Sequence, residues 1–195
     1  MKKIISFFII LVITISSAVC VQAESNNDNV EPKILSLSND IDIINRFPTD
    51  MANQIIEKIN SGEKVYYAEG TTTPDYLFNN TRSVPTSIWT LPGGSVVFDF
   101  DMQYGNTYYS PWLFRATSSC TMRINRTCTY GNDTCQINLK VMDKTTNRAI
   151  FDNDLYVYLN GTVLSIPLTQ SHDYYLVVTP LTQGSSHVSF LVNGQ

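Results

Sequence analysis

From residue 95 onward the chain is a run of short segments rich in Val, Ile, Thr, Tyr and Phe, broken at close intervals by Gly, Asn, Asp and Ser. The segments are 95–101, 112–117, 121–129, 135–142, 155–159, 162–168, 173–179 and 186–192, and the breaks include Gly131-Asn132, Asp152-Asn153-Asp154, Asn160-Gly161 and Gly184-Ser185. β-branched and aromatic side chains suit a pleated, half-buried surface. Many such strands joined by tight turns, with no helix between them, close into an antiparallel β-sandwich or jelly roll. The expected fold is therefore all-β, and within it Asn160-Gly161, a favoured type I′ pair, is expected to join 155–159 to 162–168 as a hairpin. Residues 95–101 show the period-two signal most clearly, with Phe98 and Phe100 on one face and Asp99 and Asp101 on the other.

One helix precedes this pattern, at residues 48–60. Thr49 or Asp50 can cap it, Met51, Ile55, Ile56 and Ile59 form an apolar face, and Gly62 suits its end. Three turns are marginal alone, so the apolar face must pack on the sheet. Residues 64–69 read as a short Tyr-rich strand and 71–85 as a loop, while 34–44 show no clear period.

Before the helix the chain reads as an export address. Met1-Lys2-Lys3 is basic, residues 4–15 are apolar apart from Ser6 and Thr14, and Val21-Gln22-Ala23 ends in the small residues of a cleavage site. That apolar core is shorter than the roughly 20 residues a membrane-spanning helix needs. Residues 1–23 are thus expected to be a signal peptide, 24–33 a polar disordered spacer, and 34–195 a single sandwich domain. A lipid anchor at Cys20, after Ser17-Ala18-Val19, is the alternative processing; the bulk of Val19 and the lack of a Leu-like residue at Ser17 favour cleavage after Ala23. Removing Lys2 and Lys3 leaves 11 basic against 17 acidic residues, a net charge of −6. An acidic surface repels nucleic acid and anionic headgroups, and those partners are set aside. Four Asn-x-Ser/Thr sequons, at Asn79, Asn125, Asn132 and Asn160, fit chance in a chain rich in Asn and Thr.

Three cysteines follow the signal: Cys120, Cys128 and Cys135. If Gly131-Asn132 forms a two-residue hairpin turn, Met122 meets Val141, Ile124 meets Leu139 and Cys128 meets Cys135, all on one face. Opposed residues lie within the range a disulfide accepts, which predicts a Cys128–Cys135 bond in an exported chain. Cys120 is then the odd thiol, buried and free or available for a disulfide-linked dimer. Three thiols at long spacings without a nearby His do not suit zinc.

Candidate chemistry is sparse. Ser171-His172-Asp173 spells a triad, but successive side chains on an extended segment point to opposite faces and cannot relay a proton. His187 would need a nucleophile brought by the fold. Asp99 with Asp101, and Asp152 with Asp154, are weak calcium candidates that lack an EF-hand loop; solvated carboxylates are the plainer reading. The most site-like stretch is 104–112, where Tyr104, Tyr108, Tyr109 and Trp112 stand among Gly, Asn, Ser and Pro. Such rings stack on sugars or protein partners, or else turn inward to close the end of the sandwich.

Leu139-Lys-Val-Met-Asp143, 163–168 and Asp173-Tyr-Tyr-Leu-Val-Val-Thr179 resemble, within residues 95–195, the pre-peptidase C-terminal and related β-sandwich modules of secreted bacterial proteins. The resemblance implies an accessory, non-catalytic module. The expected function is extracellular binding of a glycan or a protein surface, without a cofactor, with a small secreted hydrolase or a structural envelope protein as alternatives.

Overall fold

The structure, a computed structural model, describes residues 33–69, 84–128 and 134–195. The signal segment, all but the last residue of the spacer, most of the 71–85 loop and the Gly131-Asn132 turn lie outside the described residues. In chain order the elements are β1 (Lys33–Ser36), a 3-10 turn (Leu37–Asn39), α1 (Ile41–Ile44), α2 (Thr49–Asn60), β2 (Val65–Glu69), β3 (Ile88–Leu91), β4 (Ser95–Gln103), β5 (Tyr108–Tyr109), β6 (Leu113–Ala116), β7 (Cys120–Cys128), β8 (Thr134–Asp143), β9 (Arg148–Tyr158), β10 (Thr162–Leu168), β11 (Asp173–Pro180) and β12 (Ser185–Gly194). Among the described residues no helix is long and apolar enough to cross a membrane.

The strands form two sheets in the order β1-β2-β4-β12-β7-β10 and β3-β6-β11-β8-β9, with β5 also paired to β11. Alternation places Val96, Phe98, Phe100 and Met102 of β4 between the sheets, where they pack with Met122 and Ile124 of β7, Leu139 and Val141 of β8, and Phe190 of β12. Phe98 stacks on Phe190 at 5.4 Å. The β-sandwich expected from the sequence is thus the observed fold. Most pairings are antiparallel, but β2 with β4 and β3 with β6 are parallel. In each case the chain crosses to the other sheet before returning, the connection a parallel pair requires.

Helix α2 covers the outer face of the first sheet. Met51 and Ile55 are fully buried against Val65, Tyr67, Val97 and Leu191, with Ala52 and Ile59 at the margin, while Ile56 is 41% exposed. Its N-cap is Pro48, not Thr49 or Asp50, and no side chain caps it. Its C-terminus closes as expected. Gly62 has φ +83°, its N–H donates to the Ile59 carbonyl, and the Glu63 N–H donates to the Lys58 carbonyl, which is the Schellman pattern.

Both hairpins inferred from turn residues are corrected. β7 pairs with β10 and β12, and β8 pairs with β9 and β11, so the two strands belong to opposite sheets. Met122 and Val141 share the core across the sandwich instead of facing along a ladder, and Cys128 pairs with Val188. Apolar alternation is satisfied equally well by either arrangement. Likewise Asn160-Gly161 joins β9 of one sheet to β10 of the other. Only Gly161 takes positive φ, +73°, whereas a type I′ turn needs it at both central residues. The true hairpin is β8–β9, turning at residues 144–147 where Asn147 has φ +54°. Asp152-Asn153-Asp154 is therefore mid-strand, not a turn.

Candidate ligand-binding face

The outer surface of the second sheet is built by strands whose other side is sealed in the core. On β8, Cys135, Ile137, Leu139 and Val141 point inward, which leaves Gln136, Asn138 and Lys140 outward. Cross-strand pairing sets Tyr156 beside Gln136, Asp154 beside Asn138 and Asp152 beside Lys140. The Asn138 amide donates to Asp154 at 2.9 Å and to Asp152 at 3.1 Å, and Lys140 Nζ donates to Asp152 at 2.8 Å. Lys140 and then Asn138 hold the Asp152 carboxyl below its ordinary range. At one end of this polar row stand Tyr156 and Tyr158, 59% and 45% exposed, with ring centroids 6.5 Å apart and planes inclined by 33°. On the other side Tyr109 of β5 lies against Tyr175 of β11 at 6.1 Å, and Thr107 and Thr179 share a hydrogen bond. Burial, and then neighbouring Tyr109, raises the Tyr175 pKa. Tyr156 and Tyr109 stand three strand spacings apart across the sheet, about 14 Å, and are offset by four residues along it. The result is a shallow surface with aromatic rings at its margins and fixed hydrogen-bonding groups between them.

The 104–112 stretch is divided by the fold. Tyr108 and Trp112 turn into the core, 4% and 2% exposed, with Trp112 against Trp89 and Tyr108 against Phe100. Their rings close this part of the sandwich. Tyr109 reaches the outer face, and Tyr104 is exposed beside the β4 end.

The carboxylate candidates bind protein groups. Asp152 and Asp154 hold Asn138 and Lys140, as above. Asp99 and Asp101 flank His187, at 3.4 Å to Nε2 and 2.8 Å to Nδ1, and Tyr67 donates to Asp99 at 3.2 Å. Burial opposes charge on His187, but hydrogen bonds and attraction from Asp99 and Asp101 outweigh it and raise the pKa to about 9. An imidazole protonated on both nitrogens cannot act as a general base. Among the described residues no three His, Cys, Asp or Glu side chains gather into a metal-holding set.

The Ser171-His172-Asp173 run behaves as alternation requires. Asp173 forms a bidentate pair with Arg115 at 2.7 and 2.8 Å, and His172 Nδ1 meets Asp143 at 2.7 Å. Burial opposes ionisation of Asp143, yet hydrogen bonds from His172 and Thr146 lower its pKa. Among the described residues no hydroxyl or thiol bonds to His172. Cys120, Cys128 and Cys135 are buried, and no disulfide joins them among the described residues; burial raises the Cys120 pKa.

No protein-family model matches the chain, and no curated protein matches it in sequence. Partial likeness extends to solved structures. A periplasmic inhibitor of g-type lysozyme from Aeromonas hydrophila is 14% identical with a TM-score of 0.34, covering 56% of this chain and 98% of its own. The pre-peptidase C-terminal domain of a collagenase from Bacillus anthracis is 12% identical with a TM-score of 0.32, covering 60% and 100%. A carbohydrate-binding module solved with calcium and xylotriose is 8% identical with a TM-score of 0.26, covering 57% and 77%.

Proposed function

We propose that this chain is a secreted, non-enzymatic binding module that takes a neutral glycan on the outer face of β9, β8 and β11. The observation that carries this reading is the exposed Tyr156–Tyr158 pair beside the Asn138–Asp152–Asp154–Lys140 row. Aromatic faces stack on the apolar faces of sugar rings, and amides and carboxylates accept and donate to hydroxyls. Strands hold these groups with little freedom left to lose on binding. The two outward carboxylates exceed the single lysine, which disfavours an acidic sugar. A hydrolase finds less support, since His187 is gripped as a cation by two carboxylates and His172 has an acid partner without a nucleophile among the described residues.

A glycan array with the chain freed of residues 1–23 tests the reading. Neutral oligosaccharides should bind, and Tyr156→Ala and Tyr158→Ala should each weaken binding by about tenfold, on the order of 1.4 kcal/mol, with the melting temperature nearly unchanged. Binding only to protein baits would shift the assignment to a protein surface. Glycan binding untouched by both substitutions would remove this face from consideration.

A further inference from the structure

Cys128 is the last residue of β7 in the first sheet, and Cys135 is the second residue of β8 in the other. Their side chains enter the same core from opposite sides, 0% and 3% exposed, and their thiols lie within hydrogen-bonding reach of each other. Cys120 opens β7 eight residues earlier, about 26 Å along an extended strand, and cannot reach either. We propose that Cys128 and Cys135 are the site of a disulfide that ties the two sheets together at this end of the sandwich. The ladder pairing that first suggested a bond does not exist; the contact across the core replaces it.

The bond forms by thiol–disulfide exchange. A thiolate of the pair attacks an external disulfide, such as glutathione disulfide or that of a dithiol oxidoreductase, and the second thiolate then displaces the mixed disulfide. Two protons and two electrons leave the cysteines, one S–S bond forms, and the external disulfide is reduced to two thiols. In the folded chain neither sulfur is open to such a reagent, and mutual hydrogen bonding followed by burial raises the Cys135 pKa, which suppresses its thiolate. Oxidation therefore belongs to the period before the ends of β7 and β8 close. Once made, the bond is shielded from reductants by the same burial.

Refolding the chain freed of residues 1–23 from denaturant, in a mixture of reduced and oxidised glutathione, tests this. Alkylation under denaturing conditions and peptide mapping should then find one free thiol, at Cys120, and a linked Cys128–Cys135 peptide. Cys120→Ser should refold with no free thiol and the same link, and Cys128→Ser should keep two free thiols. The reduced, folded protein should react with thiol reagents far more slowly than the unfolded chain. Three free thiols after refolding, a bridge to Cys120, or only glutathione adducts on Cys128 and Cys135 would each overturn the proposal. The Cys120→Ser variant retains the pair, so the answer does not depend on whether Cys128→Ser folds.

Discussion

Two cationic side chains on the first sheet meet different surroundings. His187 lies on the outer face between Asp99 and Asp101, with Tyr67 bonded to Asp99 behind it. Its pKa near 9 exceeds the ordinary value of 6.5, so the folded state binds its proton more tightly than the unfolded chain does. The resulting stability is complete below pH 6.5 and is lost as pH rises through about 9. The melting temperature should fall across that window, and His187→Gln should flatten the fall while lowering stability at pH 6. An equal slope in the variant would assign the pH dependence to other groups. Arg126 points inward, paired with Phe190 on one side and Thr162 on the other, and is 5% exposed. Its Nε and Nη1, like the Thr162 hydroxyl, have no hydrogen-bond partner among the described residues. Burial lowers its pKa, though an arginine stays charged. Arg126→Met removes an uncompensated buried cation and should raise stability by about 1 kcal/mol or more, read from the urea midpoint. A lower midpoint would count against this account. Neither outcome is visible in the sequence, because period-two alternation assigns Arg126 to a face without saying what else reaches it. The same blindness hid Tyr156 and Tyr158: they alternate with the apolar Leu155 and Val157, and only the sandwich decides which set points out.

At the scale of elements, local chemistry was legible where the chain closes on itself. The α2 boundaries, its buried Met51 and Ile55, and the glycine at its end follow from propensity, periodicity and the left-handed residue that a Schellman motif requires. Ile55→Ala should cost about 2–5 kcal/mol in chemical denaturation, because its cavity lies between the helix and Val97 and Leu191. It should leave glycan binding intact, since the proposed face belongs to the other sheet. What failed was the step from turn to partner. A two-residue break between apolar strands joins neighbours in a ladder or throws the chain across the core, and the difference rests on contacts far away in sequence. At Gly161 that distant reason is visible: an added Cβ would sit 3.0 Å from the Asn125 side chain and 3.2 Å from that of Thr127, both on β7. Gly161→Ala therefore meets positive φ and crowding together, and should destabilise by about 1 kcal/mol or more on thermal unfolding.

Across the whole molecule the acidic balance and the sandwich were readable from composition and pattern, because each depends on sums over many residues. The order of strands within the sheets was not, because it depends on pairings between distant ones. From β6 to β12 the chain crosses between sheets at every connection except the β8–β9 hairpin. Neither sheet is a continuous piece of chain, so neither can melt while the other stands. Occupancy of the β9–β8–β11 face should consequently slow amide exchange in β4 and β12, in the opposite layer and far from any ligand, by the same factor as in β8. In hydrogen-exchange terms, the arches make the molecule a single opening unit: a ligand held on one side is felt as tightness on the other.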